Sequence, residues 1–202
     1  MRASEAVACP DFRCLDVNHL LYSVPDVRIV PDRMTIVVVS EAAAMRREDG
    51  FYASDRAVFA ESTLEAFRDA GANATSIDEL LQRGVYLTTA VKCAKTSYGL
   101  QTNTIKACSE LLAQELTLFP NLRALLLMGD VAIRAVNAIA RRAGEPRVIP
   151  AGSTYKLRGA EYAWRGARVF PSYLQAGPSF YMERSKRRMI AEDIAAALAL
   201  VA

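Results

Sequence analysis

The chain has 202 residues, with 25 Lys or Arg against 22 Asp or Glu, one His, and a formal net charge of +3; 52% of residues are hydrophobic and 23% charged. This balance excludes a disordered chain, and the length is enough for one domain over residues 1–202 to bury a large core without staples. The lone histidine excludes most His-rich zinc sites and argues against Ser-His-Asp chemistry. A net charge of +3 is too small to establish nucleic-acid binding and does not oppose it. No apolar run reaches the about 18 residues that span a bilayer. Met1-Arg2-Ala3-Ser4-Glu5 lacks the basic-then-apolar layout of a signal peptide, so the expectation is a cytoplasmic protein with no membrane partner.

Residues 1–33 read as irregular, broken by Pro10, Pro25 and Pro31. The run Met34 to Ser40 predicts a strand buried on both faces, and Glu41 to Ser54 a loop after it. Glu61 to Ala70 predicts a helix capped by Ser62 or Thr63; Ser76 with Glu79 has the capping-box spacing of a second helix start. Val85 to Val91 predicts the next strand, and Thr104 to Phe119 a helix with Ile105, Cys108, Leu112, Leu116 and Phe119 on one face. Arg123 to Gly129 predicts a third strand, with Asp130 capping a helix over Val131 to Arg142. Extended pieces around Tyr155 and Tyr162 predict a hairpin, and Arg168-Val169-Phe170 a fourth strand. The loop Pro171 to Phe180 and an amphipathic helix carrying Met189, Ile190, Ile194, Leu198 and Val201 complete the pattern.

Strands alternating with helices predict a three-layer α/β/α sandwich around a central four-stranded, mainly parallel sheet. Ligands bind such sheets beyond the carboxyl ends of the strands. The loops 40–54, 89–104, 129–131 and 171–180 are therefore where a site is expected.

Five segments in those regions carry a resemblance when taken in order. They are Val38-Val39-Ser40-Glu41-Ala42-Ala43-Ala44, Thr88-Thr89-Ala90-Val91-Lys92-Cys93, Ala107-Cys108 with Leu111-Leu112 and Glu115, Leu127-Met128-Gly129-Asp130-Val131-Ala132, and Gly177-Pro178-Ser179. Together they resemble the uracil-DNA glycosylase superfamily, especially its iron–sulfur branch, over residues 9–195. The corresponding family patterns are Gly-Glu-Ala-Pro-Gly, Thr-Asn-x-Val-Lys-Cys, a cysteine helix, Leu-Gly-x-x-Ala and His-Pro-Ser.

The resemblance implies hydrolysis of the N-glycosidic bond of uracil or a related deaminated base in single- or double-stranded DNA, initiating base excision repair. The target nucleotide must leave the stack before its C1′–N bond is accessible. The transition state then calls for a carboxylate near the sugar, donors for the departing base and an aromatic face. Glu41 is the implied catalytic carboxylate, with Ser179 and Gln175, or backbone N–H groups and Tyr173, supplying donors to the leaving base. Ser40, Ala42, Phe51, Tyr52, Thr89 and Gly177 are the implied substrate-binding positions.

Three departures stand out. Ala43 and Ala44 replace Pro and Gly. Thr89 replaces the Asn that reads the uracil edge, exchanging a fixed donor–acceptor pair for one hydroxyl. Gly177 stands where the family has its catalytic His, and His19 lies far away in sequence. These departures support a second reading, a damaged-DNA-binding module of the same fold with weak or lost catalysis. An unrelated nucleotide-binding enzyme ranks last, because no Gly-x-Gly-x-x-Gly or P-loop follows the first strand.

Cys9, Cys14, Cys93 and Cys108 are all the cysteines of the chain. Four thiolates suit a [4Fe–4S] cluster or zinc, and spacing alone does not separate these from free thiols; the resemblance implies the cluster. Arg184, Lys186, Arg187 and Arg188 form a basic run beside the 171–180 loop, read as phosphate contacts, with Lys92, Lys95 and Lys106 extending the positive surface. The competing reading of that run is a solvated face paired with Glu183 and Glu192.

Overall fold

A strand built from Ile36-Val37-Val38-Val39 has no polar face and needs cover on both sides. The computed structural model, which describes residues 1–201, supplies that cover with helices on both faces of a six-stranded sheet. In chain order, the first half consists of α1 (Ala3–Ala6), β1 (Val17–Asn18), β2 (Ile36–Ala43), α2 (Val58–Asp69), α3 (Ile77–Gln82), β3 (Val85–Lys95) and α4 (Thr102–Leu116). The second half follows as β4 (Ala124–Met128), α5 (Asp130–Arg142), α6 (Thr154–Leu157), β5 (Tyr162–Trp164), β6 (Ala167–Ser172) and α7 (Arg184–Ala199).

The sheet order is β1-β3-β2-β4-β6-β5. The four interior strands are parallel and are the four expected from sequence. Two antiparallel edge strands, β1 on β3 and β5 on β6, raise the count to six. Successive residues of β2 alternate between two cores: Val37 and Val39 pack with α4, α5 and the N-terminal segment, Ile36 and Val38 with α2, α3 and α7. No helix among the described residues is long and apolar enough to cross a membrane.

Several local expectations are corrected. Tyr155 lies in α6, not in a hairpin; Tyr162 instead faces Val169 across the β5–β6 pair. Residues 1–33 contain α1 and β1, and Val17 pairs with Lys95. Ser62 and Thr63 do not cap α2, which starts earlier at Val58 and buries both. Ser76 does cap α3, its Oγ accepting from Glu79 N–H at 3.1 Å, while the Glu79 carboxylate accepts from Thr75 N–H one residue upstream of the capping-box position. Asp130 is the first helical residue of α5 and makes no side-chain cap; Gly129 holds the N-cap position at φ 98°. Glu41 is not in a loop, because β2 runs on to Ala43 with an irregularity between Ala42 and Ala43.

Candidate functional site

Because β2, β3, β4 and β6 are parallel, their carboxyl ends meet at one edge of the sheet. That edge gathers Glu41, Lys95, Gly129 and the segment after Ser172. Glu41 points across the end of β4: a Cβ on Gly129 would lie 2.9 Å from its Oε1 and 3.1 Å from its Cγ. The carboxylate thus lies against a bare glycine backbone at the start of α5, where unpaired helix N–H groups favour negative charge. Lys95 Nζ stands 3.5 Å from Glu41 Oε2, and the Glu41 side chain remains 23% exposed.

On the other side of β2 a cavity of about 360 Å3 is lined by Ala43, Ala44, Phe51, Tyr52, Thr88 and Thr89. That volume lies within the usual range for small-molecule pockets, about 300–1,000 Å3. Phe51 is buried and its ring lies 5.3 Å from that of Phe59, which also lines the cavity. Sequence reasoning missed Phe59, and nothing in its local pattern marks it. It also missed the wall from Ser23 to Asp26, because residues 1–33 carry no periodic signal. Asp26 is tied outward to Ser4 and Arg2, whose hydrogen bonds hold its carboxyl below the usual range.

Several residues expected to face substrate are committed elsewhere. Tyr52 donates its hydroxyl to Leu87 C=O at 3.0 Å and accepts from Leu87 N–H at 2.9 Å, leaving only its ring to the cavity. Burial raises its phenol well above the usual value, so the hydroxyl stays protonated. Thr89 donates to Val91 C=O at 3.0 Å. Ser40 and Gln175 are both buried and joined at 3.0–3.1 Å, with the Gln175 amide also 3.4 Å from Thr63 Oγ1. Gly177 N–H donates to Ser62 Oγ at 2.9 Å. These bonds fasten the β6–α7 loop to β2 and α2, so Gln175 and the Gly177 N–H are fixed in the loop rather than free for a leaving base. Gly177 has φ +92°, a conformation L side chains rarely adopt, and a Cβ there would lie 3.5 Å from the Phe59 ring. Ser179 is exposed on the same loop, and Ala42 is buried in β2.

Lys92 is corrected outright. It is fully buried, donates to Thr88 Oγ1 at 2.7 Å and Thr89 C=O at 2.6 Å, and forms an ion pair with the equally buried Glu115. Glu115 also accepts from the Tyr86 hydroxyl at 2.6 Å and from Thr88. A lysine without surface cannot touch phosphate. It braces the strand that carries Thr88 and Thr89.

The basic run is largely paired within the fold. Arg187 bridges Glu65 and Asp69 of α2, Lys186 meets Glu183 at 2.6 Å, and Arg188 lies 3.6 Å from Glu192. Arg184 is exposed.

Cys93 and Cys108 are buried, and Cys9 and Cys14 pack against the same core; all four are free thiols. Burial, reinforced by the other three sulfurs, pushes the Cys93 thiol up to about 12. Burial chiefly, with Cys14 and Cys9 adding, raises Cys108 to about 11 against the bond from Lys92 N–H. His19 Nε2 donates to Cys14 C=O at 2.8 Å, and its Nδ1 faces Cys93 Sγ at 3.6 Å. Tyr22 accepts from Cys9 N–H at 3.1 Å. As arranged, no three His, Cys, Asp or Glu side chains among the described residues stand close enough to hold a metal ion. Four cysteine sulfurs around one core are the donor type that thiolate-ligated groups use.

Comparison with known families adds one finding. The family model described as the Uracil DNA glycosylase superfamily matches residues 28–197, taking in every element from β2 to β6 and most of α7. No curated protein sequence matches the chain.

Proposed function

The chain belongs to the uracil DNA glycosylase superfamily, and from that premise we propose that it hydrolyses the N-glycosidic bond of uracil or a related deaminated base in DNA. The observation that carries this reading is the Glu41 carboxylate, held against Gly129 at the strand ends and flanked across β2 by an aromatic-walled cavity. An extruded base fits that cavity with Phe51, Phe59 and the Tyr52 ring as its apolar walls. Glu41 then orients water toward C1′ and stabilises positive charge developing on the sugar. The Ser179 and Tyr173 hydroxyls are the side-chain donors on the 171–180 loop left to meet the departing base, while Gln175 acts as a positioning residue. Arg184 and Arg188 are the members of the basic run best exposed to contact phosphate.

We also propose that Cys9, Cys14, Cys93 and Cys108 hold a [4Fe–4S] cluster. The group would tie the 9–14 segment to β3 and α4 and supply a structural link, with no part in bond hydrolysis. Anaerobically purified protein should be brown, with broad absorbance near about 400 nm and matching iron and sulfide. Colourless protein with stoichiometric zinc would remove the claim.

A second reading, a DNA-binding module without catalysis, is favoured by Gly177 in place of the family histidine and by the internal bond of Thr89. One experiment separates the two. Oligonucleotides carrying uracil, hypoxanthine, xanthine or thymine are incubated with the protein and assayed for abasic sites. Base release that falls by about 10²–10³ in Glu41→Gln while DNA binding persists supports the hydrolase. Binding without release by the parent protein supports the module.

A further inference from the structure

The contiguous cations of α7 are mostly paired, but cations scattered along the chain converge elsewhere. Between α4 and α5 runs a groove of about 650 Å3 whose lining includes Arg13, Lys106, Arg141 and Arg142. It adjoins a second hollow of about 250 Å3 that shares Lys106 and Arg141 and adds Arg134 and Arg147. Six cations from three stretches of sequence thus share one face. Glu110 is the one acidic residue lining either hollow and lies 3.7 Å from Arg142, while Arg13 and Arg134 each meet a carboxylate outside the lining, Asp11 and Asp130, at 3.5 Å. Lys106, Arg141 and Arg147 are exposed and have no carboxylate within 4.0 Å among the described residues. Half of the six cations are thus left without a counter-charge, and such concentrated free charge costs self-repulsion and is the electrostatic footprint of a polyanion.

The place of the groove says which polyanion. It opens at Gln101 and Asn103, in the turn that follows β3 and starts α4. That turn belongs to the edge of the sheet where Glu41 and the cavity lie. Arg134 and Arg141 stand two helical turns apart on α5, roughly 10 Å along its axis, which matches about three nucleotide steps of 3.4 Å. Gln101, Asn103 and Thr102 add uncharged hydrogen-bonding groups of the kind that meet phosphate oxygens.

We propose that the α4–α5 groove is a second DNA-binding surface, holding the sugar–phosphate backbone of the strand that flanks the target nucleotide. The proposal rests on the reading of DNA as the partner, but not on catalysis. Its contacts are to backbone, so it adds affinity and orientation without reading sequence.

The test uses the full chain, an undamaged single-stranded 30-mer (about 30 nucleotides) and fluorescence anisotropy from about 50 to about 200 mM salt. The variant Lys106→Ala/Arg141→Ala/Arg147→Ala should flatten the plot of log K against log salt by about 0.7 per lost contact. Over that range the parent should lose roughly twentyfold more affinity than the variant. Arg28→Ala/Arg33→Ala/Arg123→Ala, which removes three exposed cations at the opposite edge of the sheet, controls for net charge and should leave the slope unchanged. A variant slope equal to the parent's, or a control that flattens it as much, overturns the proposal. Base release is scored separately on a short oligonucleotide. Release with an unaltered slope sinks the groove and leaves the hydrolase standing; a flattened slope without release does the reverse.

Discussion

Glu41 and Gly129 fit against each other without room for one more carbon: a Cβ at position 129 would sit 2.9 Å from Glu41 Oε1. Gly129 also has φ +98°, so a side chain there is strained as well as crowded. Gly129→Ala should displace the carboxylate and lower base release by about 10²-fold, approaching the loss in Glu41→Gln. It should also cost about 1–3 kcal/mol of stability. Initial rates and urea midpoints check the two effects separately. Parental rates in Gly129→Ala would detach Glu41 from the chemistry.

Tyr52 predicts a split between stability and substrate handling. Its hydroxyl serves the Leu87 N–H and C=O on the side of β3 turned away from β2. Tyr52→Phe keeps the ring but strips both partners, and should destabilise the fold by about 1–3 kcal/mol. The KM for a uracil-containing oligonucleotide should change little. A large KM increase with unchanged stability would place the hydroxyl on the substrate.

The Lys92–Glu115 pair is wholly buried, so each charge depends on the other. Lys92→Met should cost about 3–5 kcal/mol, because it strands the Glu115 carboxylate among Tyr86 and Thr88. Lys92→Met/Glu115→Gln should recover much of that loss. Urea denaturation of the two single variants and the double gives the coupling; additive losses would contradict the pairing.

Trp164, the one tryptophan, offers an optical readout of a carboxylate. Its indole N–H donates to Glu145, and Arg165 bonds the same carboxylate; these two bonds hold the Glu145 carboxyl below the usual range. A folded-state pKa below the unfolded one means the contact stabilises above the unfolded value, near about 4.3, and is lost as pH falls through the lower folded value. Trp164 fluorescence should therefore stay constant down to about pH 4.3 and change only below it. Glu145→Gln should abolish that step. A midpoint at or above the usual glutamate value would contradict the geometry.

What could be read in advance depended on whether the pattern was local. Ile36 to Val39 and Leu125 to Leu127 are apolar without a break, so the parallel interior of the sheet was legible. Strand β1, two residues long, falls below any usable periodicity and exists only through its partner, while the extended piece around Tyr162 was legible as β5 but its partner, β6 rather than a piece around Tyr155, was not. The site divides the same way. Glu41 is singled out by the family resemblance of its segment, yet nothing local says that it meets Gly129, 88 positions on. Lys92 looks like a surface cation in sequence because its counter-charge, Glu115, arrives on another element. Arg184 to Arg188 advertise charge by adjacency, and Glu65 and Asp69 cancel part of it from α2. Of the six groove cations only Lys106 stands out in the sequence, the other five being spread from Arg13 to Arg147.

The short edge strands bear on how the molecule tolerates crowding. A parallel sheet with a bare flank is a template for another chain. Here β1 covers the last residues of β3, and the Tyr52 hydroxyl occupies Leu87 farther along the same flank. At the far side, β5 offers only three residues before the turn at Arg165. Neither border presents a long run of free backbone for a neighbour to zip onto. Cutting away residues 1–18 would uncover the end of β3, and the shortened protein should then form self-associated species that the full chain resists.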